Sequence, residues 1–126
     1  MFNKRHTVEE VLAALSIIRI NLVSDEYRLH DIISQSFNLA GIFFRKEYKL
    51  GSHNRIDYLV NGGIGVEVKK GKPYSKQVIE QIKRYTMFPE INAIILVVER
   101  NLDIPKQING KKCCSFGLNK LWGIAL

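Results

Sequence analysis

The 126-residue chain has few means of cross-linking itself and none of crossing a bilayer. Its only two cysteines, Cys113 and Cys114, are adjacent. Neighbouring cysteines do not build an ordinary disulfide framework, and two thiols fall short of the four that zinc ribbons and iron–sulfur clusters normally use. On an alternating strand one of them would face the core and the other outward. No apolar run approaches the roughly 20 residues of a spanning helix. The N-terminal segment carries Glu9, Glu10 and Arg19, and it lacks the unbroken apolar core and small-residue cleavage site of a signal peptide. A cytoplasmic protein without membrane association is the resulting expectation. Repeats, low-complexity segments and linkers are absent too. With 46% hydrophobic residues, 1–126 is expected to fold as one domain around a real core.

Negative charge is also scarce. Nineteen Lys and Arg face twelve Asp and Glu, a net charge of +7. Such an excess points to a polyanionic partner, because phosphate counterions released on contact favour binding. No basic amphipathic helix of the lipid-surface type accompanies it.

Thr7 is placed to cap a helix whose apolar positions Val8, Val11, Leu12, Leu15 and Ile18 recur at helical spacing. Ser24 or Asp25 starts a second helix, running to about Leu39 and closed by Gly41. IFFRKEYKL (Ile42 to Leu50) reads as a strand and GSHN as a turn. RIDYLV and GIGVEVK read as two further strands, joined by Asn61-Gly62-Gly63, a strong hairpin signal. Ser75 caps a third helix to about Phe88, with Pro89 beyond it. NAIILVVE (Asn92 to Glu99) has the continuous apolar character of a strand buried on both faces. KKCCSF and LWGIAL supply two shorter strands. The order α-α-β-β-β-α-β-β as far as KKCCSF, with a crossover helix, predicts a mixed α/β sheet flanked by helices.

The stretch RIDYLVNGGIGVEVKKG (Arg55 to Gly71) places charges where core strands carry Val or Ile. Alternation assigns Ile56, Tyr58 and Val60 to one face, with Asp57 and Leu59 on the other. In the next strand Val66 and Val68 oppose Gly65, Glu67 and Lys69. With the valine faces in the core, Asp57, Glu67 and Lys69 emerge together, roughly 5–8 Å apart. Carboxylates that close have raised pKa values without compensation, and a divalent cation relieves them. Hard oxygen ligands suit Mg²⁺ or Mn²⁺, and Lys69 would orient a water, help to deprotonate it, or stabilise transition-state charge. Phosphodiester hydrolysis needs this set of parts. On these three residues alone, a solvated sheet face is the better account of the pattern.

RID…EVK, preceded by the helix residue Glu26 and followed by Gln81-Ile82-Lys83-Arg84-Tyr85, resembles the PD-(D/E)XK nuclease superfamily. The D-x₉-E-x-K spacing fits, with isoleucine where the pattern has proline. Gln81 and Tyr85 match the Q-x-x-x-Y element of RecB-type nucleases and their phage exonuclease relatives. In size and early helix glutamate the chain is similar to small archaeal and viral Holliday-junction resolvases. The matched region runs from about Glu26 to Val98, in the right element order. This resemblance implies an α/β fold with a restriction-endonuclease-like αβββαβ core and an extra N-terminal helix. It implies Asp57 and Glu67 as ligands of Mg²⁺ or Mn²⁺, the backbone carbonyl of Val68 as a third, and Lys69 as the water-positioning or charge-stabilising residue. Glu26 would stand near the metal and Gln81 would reach the site or the scissile strand. A helix N-terminal acid favoured by the macrodipole, a surface glutamine and a core tyrosine explain Glu26, Gln81 and Tyr85 without any site.

Basic residues gather beside the motif: Lys70, Lys72, Lys76, Lys83 and Arg84, with Tyr85, form the expected nucleic-acid-binding set. Tyr48, Tyr74 and Trp122 are candidates for stacking on bases. Glu47 either joins the acids or pairs with an arginine, the pairing being preferred. His53, in the turn just before the motif, either contacts phosphate or is a solvated loop residue, the latter being preferred, and His6 and His30 read as isolated. The expected function is a metal-dependent nuclease acting on DNA, including junctions, branched forms or single strands. A resolvase-like endonuclease working as a homodimer comes first. A RecB-type exonuclease, an RNA-processing nuclease and a non-catalytic DNA-binding or assembly module are the alternatives.

Overall fold

Thr7 stops the extended chain and its hydroxyl accepts the Glu10 N–H at 3.1 Å, so α1 (Val8–Ser16) begins where the sequence places it. This and all that follows come from a computed structural model, which describes residues 4–18, 26–71, 73–100 and 102–118. Ser24, Asp25, Lys72, Trp122 and the LWGIAL segment lie outside the described residues. α2 (Glu26–Leu39) ends as predicted, at a glycine: Gly41 has φ +75°, the Gly41 N–H donates to the Asn38 carbonyl at 3.2 Å and that of Ile42 to Phe37 at 2.9 Å. This double closure satisfies carbonyls the helix leaves open and turns the chain into the sheet.

β1 (Phe44–Gly51), β2 (Asn54–Val60) and β3 (Ile64–Lys69) form an antiparallel meander. α3 (Ser75–Thr86) then crosses over to β4 (Ala93–Val98), parallel to β3, and β6 (Lys111–Gly117) adds parallel to β4. The two-residue β5 (Gln107–Ile108) completes an open mixed sheet in the order β1-β2-β3-β4-β6-β5. The helix start at Ser75 needs correction. Tyr74 is the N-cap, without a side-chain hydrogen bond, and the helix ends at Thr86 rather than Phe88. α1 likewise ends before Ile18. β5 is too short to leave a periodic signal.

Both faces of the sheet are covered. α1 and α2 pack on Tyr58, Val60, Val66, Val68, Ile95 and Val97; α3 packs on Ile56, Ile94, Leu96 and Val98. All six residues of β4 are buried, as the continuous apolar run predicts. Burying one such side chain stabilises by about 1.5–3 kcal/mol, so this strand anchors both layers. The expectation that one cysteine faces outward fails for the same reason: Cys113 is buried on the α3 side, and Cys114 packs against the α1/α2 cluster.

Strict alternation also fails in β1 and β2. Phe44 and Tyr58 pack with the α1/α2 cluster, whereas Tyr48 and Ile56 pack with the α3 cluster. Both strands change face between these residues, at Glu47, whose φ is +48°, and at Asp57. Ile56, Tyr58 and Val60 therefore do not share a face. Glu47 is exposed there and, among the described residues, makes no ion pair with an arginine.

The far end of the hairpin is pinned from the N-terminus. The buried His6 donates its backbone N–H to the Asn61 carbonyl at 2.8 Å and accepts the Phe43 N–H at Nε2 at 3.0 Å. With Nε2 accepting, Nδ1 carries the proton that reaches Glu10 Oε2 at 3.1 Å. Gly62, at φ +109°, lies so close that an added Cβ would stand 2.6 Å from the His6 carbonyl oxygen. Gly62→Ala combines a disfavoured φ with a clash against backbone. It is expected to destabilise by about 2–3 kcal/mol in urea unfolding.

Candidate active site

The β2–β3 ladder is regular from Val60↔Ile64 to Tyr58↔Val66 and then opens. Beyond that point carboxylates take over the bonding. Asp57 Oδ2 accepts the Val68 N–H at 2.8 Å, and the Asp57 N–H donates to Glu67 Oε1 at 3.3 Å. The two acids thus bind each other's strand across a fork. Lys69 Nζ stands 3.3 Å from Glu67 Oε2. Asp57, Glu67 and Lys69 are brought together as the sequence predicts, but not on a solvated face: Glu67 is 4% exposed, because α3 covers that side.

Tyr85 closes the site from α3. Gln81 Nε2 donates to its hydroxyl at 2.9 Å, which in turn reaches the Arg55 carbonyl at 2.9 Å and Glu67 Oε1 at 3.4 Å. A hydroxyl has one hydrogen, so the shorter contact to Arg55 is the primary one and Glu67 the alternative. Burial, with the Glu67 and Asp57 charges, pushes this hydroxyl above its usual range and keeps it protonated. On the other side of the sheet, Tyr58 Oη donates to the His30 carbonyl at 2.8 Å and shares a hydrogen bond with Ser34 at 2.9 Å. Burial raises its pKa to about 12. The pair of tyrosines clamps α2 and α3 to β2 on either side of Asp57.

His30 looks isolated in the sequence and is not isolated in the fold. Its Nε2 lies 3.9 Å from Asp57 Oδ2, and its ring stacks on Tyr58 at 5.9 Å. The available signal was its position four residues after Glu26 on one helix. Glu26 itself opens α2, and its side chain lies outside the described structure. Val68 is tied to the site through its amide N–H.

Among the basic residues, Lys70, Lys76, Lys83 and Arg84 are exposed. Lys76 and Lys83 lie on the face of α3 opposite Val78, Ile82 and Tyr85, away from the sheet, and Lys83 pairs with Glu80 at 3.6 Å. They do not line the site. Arg84 turns instead toward Asn54, 3.3 Å from Nε to Oδ1. Tyr85, expected to contact nucleic acid, is a core residue at 1% exposure whose hydroxyl alone reaches the acids. Tyr74 is exposed, while Tyr48 packs against the α3 cluster.

Neither a family model, a curated protein nor a solved structure matches this chain. Among the described residues no three His, Cys, Asp or Glu side chains are grouped to hold a metal ion, and none of the helices is long and apolar enough to cross a membrane. The two carboxylates nevertheless fit a hard divalent cation. They are oxygen donors at a fork in the sheet, next to a lysine that partly offsets their charge, and Mg²⁺ commonly keeps water in its remaining positions.

Burial first, and the neighbouring Asp57 charge second, push the Glu67 carboxyl from its ordinary 4.5 up to about 7, against the lowering pull of Lys69. A carboxyl raised in the folded state binds its proton more tightly there than in the unfolded chain. Stability therefore falls as pH rises from about 4.5 to 7, and a cost of about 3 kcal/mol is fully present above that window. Glu67→Gln should flatten this slope. In EDTA at about pH 8 it should unfold at higher urea than the parent, and at about pH 5 the two should converge.

Proposed function

We propose that this protein is a divalent-metal-dependent nuclease that hydrolyses DNA phosphodiester bonds. The observation that carries this reading is the fork: two carboxylates, one almost fully buried and pushed up to about 7, held by backbone N–H groups beside a lysine. A binding surface for a polyanion gains nothing from gathering acids at that cost. A hydrolytic site that takes up a cation recovers it. The element order from α2 to β4, with Asp57 and Glu67 on adjacent strands and Lys69 two residues on, supports the restriction-endonuclease-like core that the motifs resemble.

Within such a site Asp57 and Glu67 are the ligands, with the Val68 carbonyl as a third. Bound Mg²⁺ or Mn²⁺ would supply Lewis acidity to the phosphoryl oxygen and lower the pKa of the attacking water. The chain's own groups do the rest. The Val68 N–H fixes the Asp57 carboxylate and the Asp57 N–H fixes Glu67, with the Tyr85 hydroxyl 3.4 Å away. Lys69 orients the water and stabilises charge developing on the phosphate. Gln81 holds the Tyr85 hydroxyl, and His30 approaches Asp57 from α2 as a further polar group. The net charge of +7 favours a nucleic-acid substrate.

A resolvase-like endonuclease acting as a homodimer is the first form of this reading, since two sites related by a twofold axis would cut two strands. The Gln81–Tyr85–Glu67 chain of contacts favours a second form, the RecB-type exonuclease. Incubation with plasmid, linear duplex, single strand and four-way junction separates them. Cleavage should require Mg²⁺ or Mn²⁺ and stop in EDTA. Glu67→Ala and Lys69→Ala should each lower kcat/KM by about 100-fold or more. Cleavage that persists in EDTA or in both variants would sink the proposal, and shifted bands without cleavage would favour a binding module.

A further inference from the structure

A polar cleft adjoins the acids on the α3 side. The turn between β1 and β2 and the near face of α3 enclose a cleft of about 350 Å³, whose lining includes Lys49, His53, Asn54, Arg55, Gln81 and Tyr85. Three of these side chains carry or accept positive charge, two are amides, and no carboxylate lines the cleft. Lys49 and Arg55 are direct cross-strand partners. Like charges in that position repel, and among the described residues no ion pair compensates either of them. Arg84 adds a guanidinium beside the cleft through its bond to the lining residue Asn54. His53 holds its place in the turn at φ +62°. Such a concentration of cations and amide donors is complementary to a phosphate group.

Tyr85 links the cleft to Glu67. Tyr85 lines its wall and reaches Glu67 Oε1 at 3.4 Å, and Gln81 lines it while donating to Tyr85. We propose that this cleft is a phosphate subsite, holding the phosphate of a nucleic-acid strand that neighbours the one at the carboxylates. Lys49 and Arg55 supply the charge, and Asn54 and Gln81 supply directional donors. The phosphate is either an internal phosphodiester or a terminal phosphomonoester. The choice of nucleic acid as its carrier rests on the nuclease reading; the phosphate affinity of the cleft does not.

The test measures binding in EDTA, where no cleavage occurs. Anisotropy of labelled short single strands, ending in a 5′-phosphate or a 5′-hydroxyl, is compared for the parent, Lys49→Ala/Arg55→Ala and Lys106→Ala at the far sheet edge. All three substituted side chains are exposed, so the fold is retained. The double variant should bind about tenfold more weakly, with the slope of log K against log salt reduced by about 0.7 for each phosphate that is no longer neutralised. Lys106→Ala should stay within about twofold of the parent. Inorganic phosphate should shift the side-chain amide resonances of Asn54 and Gln81 in the parent and not in the double variant. Weakening confined to the 5′-phosphorylated strand assigns a terminal phosphate; equal weakening on both strands assigns an internal one. Parent-like affinity in the double variant, or equal weakening in Lys106→Ala, overturns the subsite. A double variant that no longer binds phosphate, in a protein that never cleaves, keeps the subsite and removes the nuclease. One that binds normally in a protein that cleaves does the reverse.

Discussion

Two carboxylates at a fork in the sheet set the terms for the rest of the molecule. Backbone pairing between β2 and β3 stops where Asp57 and Glu67 begin to bond to the opposite strand. Each carboxylate thus satisfies an N–H that the opened ladder would leave without a partner, which is why the fork survives in a buried setting. The bonding does not remove the mutual repulsion. Glu67 keeps a raised affinity for a proton, first because it is buried and second because the Asp57 charge stands beside it.

Holding such a pair demands rigid support on both faces. Tyr58 and Tyr85 provide it with the same device: a ring buried in the core and a hydroxyl bonded to a backbone carbonyl, at His30 on one side and Arg55 on the other. Each packs its helix against β2 next to Asp57. The change of face in β1 and β2 belongs to the same arrangement. It sends Ile56 under α3 and Tyr58 under α2, leaving Asp57 between the two layers at the mouth of the fork. Charge then divides by location. The acids sit at the fork, and Lys49, His53 and Arg55 line the adjoining cleft. Lys76 and Lys83 face away on the outer side of α3.

What could be read from the chain alone was what repeats or what local chemistry dictates. Thr7, the Gly41 helix end, the Asn61-Gly62-Gly63 turn and the apolar run of β4 each act over a few residues, and each appears where its residue types place it. The D-x₉-E-x-K spacing across a tight hairpin likewise brought Asp57, Glu67 and Lys69 together, because a short turn leaves little freedom of register. Alternation put Ile56 on the same face as Tyr58 and Val60 because it assumes regular strands, and a change of face at Asp57 leaves the hydrophobic pattern intact.

Long-range packing decided what remained. No local rule says that α3 covers the Glu67 face, so residue order alone does not separate a solvated acid from a buried one. Nor does it bring His30 beside Asp57, or lay Gln81 and Tyr85 of α3 along the cleft beside Lys49 and Arg55, since those contacts join elements distant in the chain. The sequence by itself determined which residues carry charge and which turns bring them near. Tertiary structure decided which charges lose their water, because burial depends on what another part of the chain lays over them, and burial is what shifts a carboxyl's proton affinity.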